Sequence, residues 1–229
     1  MSITSLRDRL MRPALLFQPG AEKKAPREPS SLFGRVTHQA PHESWPEHNG
    51  VALCPLLQLT LTELPFKPEN LSEVAFLTLF VHPTRYPDQD ENETTWCLRT
   101  YRTTRNLVPC HPPPLDWPVA DVTLDHPVLV EDYPCFEDLG EEVEDETWAL
   151  FSERFPTRDG IKVGGWPRLL KSEIYWAPFN QHPARPEFAF QVDSLPEAGW
   201  TWGDAGCAYL GRGTAPGFKK TWTLEWQCL

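Results

Sequence analysis

An excess of positive charge is missing from this sequence, and its absence narrows the possible functions. The chain has 21 lysines and arginines against 32 aspartates and glutamates, which gives a formal net charge of −11. Direct binding to DNA or RNA requires a basic face, so we expect no nucleic acid ligand. The acidic balance permits a basic protein partner, although the same charge can serve solubility alone.

Long apolar runs and paired cysteines are also missing. No stretch is apolar enough to span a membrane, and Arg7, Asp8 and Arg9 interrupt the N-terminal segment where a signal peptide would be apolar. No Cys-x-x-Cys pair occurs, which indicates reduced thiols. We therefore expect a cytoplasmic protein without a membrane partner. The scattered cysteines are Cys54, Cys97, Cys110, Cys135, Cys207 and Cys228.

Recognisable catalytic and cofactor motifs are absent as well. Residues 211–221 resemble a phosphate loop, but Phe218 stands where that motif needs lysine, so a hairpin loop is the better interpretation. No Gly-x-Ser-x-Gly elbow is present. His38, His42 and His48, with Cys54 as the nearest thiol, lack the spacing of a zinc site. We expect a non-enzymatic protein without cofactor or metal.

Proline and large aromatic residues, in contrast, are abundant. The chain has 25 prolines, 10 tryptophans and 12 phenylalanines, and 40% of its residues are hydrophobic. Many prolines favour short elements and stiff turns, which argues against a helix bundle. We predict an α+β, β-rich fold in which two diverged β-sheet repeats pack into one globular unit with a few peripheral helices.

Apolar spacing predicts where the elements lie. Ile3, Leu6 and Leu10 predict an amphipathic helix over residues 2–11 that Pro13 ends, followed by an exposed loop over residues 18–31. Alternation at residues 57–62 predicts a half-buried strand. A second helix is predicted over residues 141–155. Further strands are predicted at residues 74–81, 95–103, 121–130, 188–192, 206–211 and 221–228.

The two ends of the chain share an order of motifs. Near each end a glycine element and a Trp-Pro pair precede an apolar-Gln-apolar strand, which contains Gln58 in the first case and Gln191 in the second. We interpret this order as an internal duplication. The prediction is one domain over residues 1–229, with repeats at 34–130 and 160–229, an N-terminal helix at 2–12 and an acidic connector at 131–155.

The last third of the chain resembles the YwqG-like family of bacterial proteins of unknown function. The motifs that carry the resemblance are Gly-Gly-Trp-Pro at residues 164–167, Gln-Val-Asp-Ser at 191–194, Gly-Asp-Ala-Gly at 203–206 and Trp-Gln-Cys at 226–228. In the first half, Gly34-Arg35 replaces the family's double glycine. The resemblance implies a duplicated α+β scaffold with no settled catalytic activity. It also implies a relation to immunity proteins that neutralise contact-delivered toxins, including DNases of type VI secretion systems.

Two carboxylates in these motifs are candidates for catalysis or metal binding. Asp193, Ser194 and Asp204 surround a glycine turn, and paired acids there could exchange protons or hold a cation. The alternative is structural, with both acids bonding to backbone amides of turns. We favour the structural role.

The strongest functional signal outside the family motifs is an acidic segment. Residues 131–146 contain nine acidic residues and no lysine or arginine. A basic toxin would be attracted to such a surface, and interleaved aromatics could anchor it. A solvated acidic loop is the plainer interpretation. The predicted partner-binding residues are Glu131, Asp132, Tyr133, Phe136, Glu137, Asp138, Glu141, Glu142, Glu144 and Asp145.

From these features and from the family resemblance we predict a cytoplasmic immunity protein that binds a contact-delivered bacterial toxin, a type VI secretion DNase, and occludes its active site or substrate groove. The first alternative is a module that binds a small molecule or peptide in a cleft between the two halves, near Trp200, Trp202 and Asp204. The second is a hydrolase that uses Asp193 and Asp204.

Overall fold

Within residues 3–20, 28–62, 64–138 and 143–229, which the computed structural model describes, the chain forms two α-helices and fourteen β-strands. The helices are α1 (Ile3–Leu10) and α2 (Asp145–Arg154). The strands are β1 (Arg12–Pro19), β2 (Leu32–Phe33), β3 (His38–Gln39), β4 (Glu47–His48), β5 (Val51–Ala52), β6 (Cys54–Thr60), β7 (Phe76–Val81), β8 (Trp96–Tyr101), β9 (Val108–Pro109), β10 (Val122–Asp132), β11 (Ile161–Gly164), β12 (Pro186–Asp193), β13 (Cys207–Gly213) and β14 (Trp222–Gln227).

Ten of these strands form one antiparallel sheet, in the order β14-β13-β12-β11-β1-β10-β2-β6-β7-β8. The remaining strands form two short pairs, β3 with β9 and β4 with β5. The predicted fold class, α+β and β-rich, is therefore confirmed.

The two ends of the sheet share a core. One apolar cluster includes Trp96 and Leu98 from β8 together with Trp222 and Leu224 from β14, although these strands lie at opposite ends of the strand order. The sheet thus folds over so that both halves bury their inner faces against each other, as a two-layer domain requires.

The same pairings recur in the two halves of the sheet. Gln58 of β6 lies opposite Thr78, and Gln191 of β12 lies opposite Tyr209, each beside a β-bulge that begins three residues earlier in its strand. The edge strands β8 and β14 share a Trp-x-Leu sequence in matching register. The strand order is symmetric about the central β1–β10 pair. This is the pattern an internal duplication would leave, and the duplication itself stays a prediction.

Most of the predicted elements lie where the apolar spacing placed them. Helix α1 and strands β7, β8, β10, β12, β13 and β14 overlap the predicted ranges. Residues 211–221 include the hairpin loop between β13 and β14, as predicted. Trp148, Phe151 and Phe155 do form one apolar face of α2, packed with Leu6 and Leu10 of α1.

A central strand was missed, and two predictions about local structure were wrong. Strand β1 was not predicted; it begins at Arg12, runs through the middle of the sheet and ends at Pro19, inside the predicted loop over residues 18–31. Residues 57–59 are buried on both faces, since the polar side of β6 is covered by residues 30–37, which Gln58 bonds. Strand β10 continues to Asp132, so the first two residues of the predicted acidic connector belong to the sheet.

None of the helices in the described part of the chain has the length and apolarity to cross a membrane.

Candidate functional site

Asp132, the second residue of the predicted partner surface, is fully buried and forms an ion pair with an equally buried lysine. Its Oδ2 lies 2.8 Å from Lys162 Nζ, and both side chains are 0% exposed. The carboxylate also accepts the backbone N–H groups of Arg158 and Trp166, each at 2.7 Å. Asp132 therefore joins β10 to β11 and the chain that follows. It is unable to contact a partner, which corrects the sequence prediction for this residue.

Glycine is required beside this carboxylate. Gly165 has φ +75°, and a Cβ added to it would lie 2.1 Å from Asp132 Oδ2. The double glycine of the Gly-Gly-Trp-Pro motif thus lets the backbone approach the ion pair closely. The motif that identified the family resemblance serves the scaffold here.

Tyr133 is also internal, in a small cluster between the helices. It is 2% exposed and packs against Phe151 and Phe155, with ring centroids 5.7 and 5.1 Å away. Its hydroxyl donates to Glu131 Oε2 at 2.7 Å and accepts from Arg7 Nε at 3.2 Å. The predicted role of Tyr133 as a partner anchor is corrected by this burial.

Glu131 lies at the surface, but its charge has a partner within the chain. Arg7 Nη2 lies 2.6 Å from Glu131 Oε1. The hydrogen bond from Arg7, with a second from Tyr133, holds the pKa of Glu131 below its ordinary value. This ion pair ties α1 to the end of β10, so Glu131 adds little net negative charge to the surface.

The side chains that face solvent come from the short turn after β10 and from α2. Phe136 is 43% exposed and packs against Trp148 at 5.8 Å. Glu144 and Glu146 are exposed, and Leu150, which is 58% exposed, follows Glu146 by one helical turn. We call Phe136, Glu144, Glu146 and Leu150 the acidic helix face.

The remaining predicted residues divide into two groups. Asp138 is half-buried, and its Oδ2 accepts the backbone N–H of Cys135 at 3.2 Å. Glu141 and Glu142 lie outside the described residues, and so do the side chains of Glu137 and Asp145.

The comparison with protein families matches residues 31–211 to the Domain of unknown function (DUF1963). The chain belongs to this family. The match spans most of the chain and agrees with the resemblance to a bacterial family without known function, although it does not carry the YwqG-like name. The match begins at residue 31 and ends within β13. Helix α1 and strand β14 therefore lie outside the matched residues. No curated protein matches the chain.

Asp193 has the structural role that we favoured for it from the sequence. Its oxygens accept the Gly160 N–H at 2.7 Å and the Gln191 Nε2 at 3.1 Å, and Arg168 Nη1 lies at 3.3 Å. Burial raises its pKa above the ordinary value for aspartate. Through these bonds Asp193, at the end of β12, holds the chain just before β11 in place.

Asp204 differs from the prediction made for it. Its side chain is exposed, and no hydrogen bond from it to a turn amide occurs in the described structure; its backbone oxygen accepts from Leu229 N at 3.0 Å. The expectation that Asp204 stabilises its turn was wrong. Ser194, the third member of the set, bonds the backbone at Trp202 and Gly206.

Histidines and acids do not gather into a metal site within the described residues, where no group of three potential ligands is found. His38 is buried and its Nδ1 lies 2.8 Å from Thr37 Oγ1. His48 lies beside the ring of His82 at 6.5 Å.

The cleft predicted near Trp200 and Trp202 is filled. Both indoles are buried in the shared core, where Tyr86 packs over Trp200, Trp202 and Trp226 at 6.1, 5.8 and 4.6 Å. A cavity of about 440 Å³ lies instead against β14, between residues 89–92 of the first half and residues 175–183 and 218–225 of the second. The sequence carried no signal for this cavity, because its walls come from three segments that are distant along the chain.

Proposed function

We propose that this protein is an immunity protein that binds a contact-delivered bacterial toxin, a nuclease of the type VI secretion class, and neutralises it by covering its active site or substrate groove. The observation that carries the proposal is the acidic helix face, in which Glu144 and Glu146 are exposed together with the apolar side chains of Phe136 and Leu150. The cytoplasm is the compartment in which such a protein would meet a nuclease before it reaches DNA.

The physical basis is complementarity with a groove that accepts phosphates. Such a groove is basic, so acids on the inhibitor raise the association rate by about ten- to a thousand-fold at low salt. Exposed aromatic and aliphatic side chains then supply buried anchors that slow dissociation. Phe136 is suited to this role because Trp148 already supports its ring.

The direct test is co-expression with the product of the neighbouring gene. Growth should be rescued from a toxic nuclease, and the two proteins should co-elute as one complex on size exclusion. A toxin that still kills cells containing abundant folded protein, without co-elution, would contradict the proposal.

Charge reversal tests the surface within that complex. Glu144→Lys combined with Glu146→Lys should slow association at least about tenfold and reduce its salt dependence, because the attraction between the faces is lost. The matched control is Glu47→Lys with Glu197→Lys, two exposed glutamates outside this face. Equal association rates for both double variants would exclude the acidic helix face, even with co-elution intact.

A second candidate function is a module that binds a small molecule or peptide. The observation that favours it is the cavity against β14, whose volume of about 440 Å³ falls within the range of ligand sites. Copurification of a ligand in this cavity would support this function independently of any toxin.

A further inference from the structure

We propose that the cavity against β14 binds the cationic end of an organic amine or guanidinium compound, with Glu225 as its counter-charge and aromatic side chains as its walls. The inference rests on the second candidate function and is independent of toxin neutralisation.

Aromatic side chains form much of the cavity wall. Tyr175, Trp176, His182, Phe218 and Trp222 all line it. Tyr175 and His182 pack edge to face at 5.6 Å. An adjoining cavity of about 340 Å³ shares Tyr175 and Glu225 and adds Phe179. Aromatic faces attract ammonium and guanidinium groups through the ring quadrupole.

Several of these aromatics are exposed at the rim. Phe179 is 66% exposed, Phe218 is 40% exposed and Tyr175 is 39% exposed. Exposed apolar groups gathered at one concave place are typical of a binding site, whereas isolated ones are common on any surface.

The charge of the cavity selects a cation over an anion. Asp90, Glu91 and Glu225 contribute three carboxylates, against the single amine of Lys220. Glu225 projects from β14 at the junction of the two cavities, and its Oε2 accepts the Tyr175 N–H at 3.2 Å. Burial raises the pKa of Glu225, and no nearby cation of the described structure offsets that effect. A ligand cation would supply the missing counter-charge.

The wall opposite β14 is held in place before any ligand arrives. Asp90 accepts from Thr95 Oγ1, and the indole N–H of Trp96 donates to the Asp90 backbone oxygen at 2.9 Å. Asn92 bonds both the N–H and the oxygen of Leu98, at 2.7 and 3.0 Å. A preformed wall reduces the entropy that binding must overcome.

Calorimetric titration of the purified chain with L-argininamide tests the inference. Both probes carry an acetylated α-amine, so that citrullinamide has the shape of L-argininamide without its charge and is the matched ligand control. We expect L-argininamide to bind at least about tenfold more tightly, which corresponds to about 1.4 kcal/mol. Indole N–H resonances of Trp176 and Trp222 should shift with it.

Glu225→Gln should weaken this binding about tenfold, while Glu197→Gln, at an exposed site elsewhere, leaves it unchanged. The glutamine keeps an oxygen for the Tyr175 N–H, so the fold is retained; a thermal melt checks this. Binding of a Gly-Arg-Gly peptide about tenfold more tightly than L-argininamide would identify a basic side chain of a polypeptide as the source of the cation. Equal binding would identify a free small molecule.

Three results would overturn the inference: no binding of any cationic probe, equal binding of citrullinamide, or unchanged binding by the Glu225→Gln variant. Equal binding of citrullinamide would leave the ligand-binding function standing and remove only the choice of a cation. If neither L-argininamide nor citrullinamide binds, the result counts against the ligand-binding function as well.

Discussion

At the scale of single residues, the same type of side chain has opposite roles at neighbouring positions. Glu131 is exposed and meets Arg7, whereas Asp132 is buried and meets Lys162. Alternation in a strand places successive side chains on opposite faces, and β10 extends through both residues. Within a run of acids, the sequence offers no sign of which member is internal, because Lys162 lies 30 positions further on.

Removing the buried carboxylate should therefore destabilise the fold and not merely alter a surface. Asp132→Ala leaves Lys162 charged and unpaired, and leaves the N–H groups of Arg158 and Trp166 without their acceptor. We expect the free energy of unfolding to fall by about 3–5 kcal/mol, measured by urea denaturation.

Glu131→Gln is the control for that measurement, because its side chain is exposed. It should leave the free energy of unfolding almost unchanged. A loss of less than about 1 kcal/mol in Asp132→Ala would mean that the pair contributes little and that the site rearranges.

At the scale of elements, apolar runs predicted the strands with continuous or alternating hydrophobic sequence, but the central strand β1 was missed. No element was predicted for residues 13–17, and the last two residues of β1 were assigned to the exposed loop at residues 18–31. In the structure Pro13 and Pro19 lie outside residues 14–16, where β1 pairs with both β10 and β11, so neither proline takes a position that is paired on both sides. Strand β11 was missed because it has only four residues and includes Lys162. Both β1 and β11 form strands because they pair with segments that are distant along the chain, and the local sequence carries no signal for that pairing.

Two glutamines, Gln58 and Gln191, hold loops against the sheet through similar hydrogen bonds. Gln58 accepts from the Thr37 N–H at 2.8 Å and donates to the Ser30 oxygen at 2.6 Å. Gln191 accepts from the Arg168 N–H at 3.1 Å and donates to the Gly160 oxygen at 3.3 Å. Each side chain is 0% exposed, and each bonds backbone groups that lie outside the strands of the sheet.

Alanine at either position should therefore have a similar effect. Gln58→Ala and Gln191→Ala each leave a partly buried N–H and a partly buried oxygen without their side-chain partner, and each should cost about 2–4 kcal/mol in chemical denaturation. The matched control is Gln39→Ala, whose side chain is only partly buried in a two-stranded pair. A large loss at one glutamine and none at the other would show that the two halves do not use these residues in the same way.

At the scale of the whole molecule, charge and composition predicted an acidic, β-rich protein but not the distribution of its groups. Among the described acids of residues 131–146, Asp132 is buried in an ion pair, Glu131 is paired with Arg7, and Glu144 and Glu146 are exposed. The cavity against β14 arises only when the loop before β8 crosses to the other half, where Trp226 Nε1 donates to the Pro87 oxygen at 2.8 Å. Such long-range closure is set by tertiary packing, so neither site could be located from spacing.

Burial of histidines also makes the stability of the whole molecule depend on pH. Burial lowers the pKa of His38, His82 and His182 below the ordinary value. As pH falls through about 6.5, the unfolded chain takes up protons at these positions before the native chain does. The free energy of unfolding should therefore decrease between about pH 7.5 and 5.5. Asp193 and Glu225 act in the opposite sense, because burial raises their pKa and their contribution is lost as pH rises.

Urea titrations at about pH 7.5, 6.5 and 5.5 measure this slope. Asparagine at the three histidines should flatten it, because the Asn oxygen can replace Nδ1 as the acceptor for the Thr84 and Ala184 N–H groups without binding a proton. His111→Asn, at an exposed position, should leave the slope unchanged. A slope that is the same in the wild-type protein and in the triple asparagine variant would contradict the prediction, because the histidines would then contribute nothing to the pH dependence.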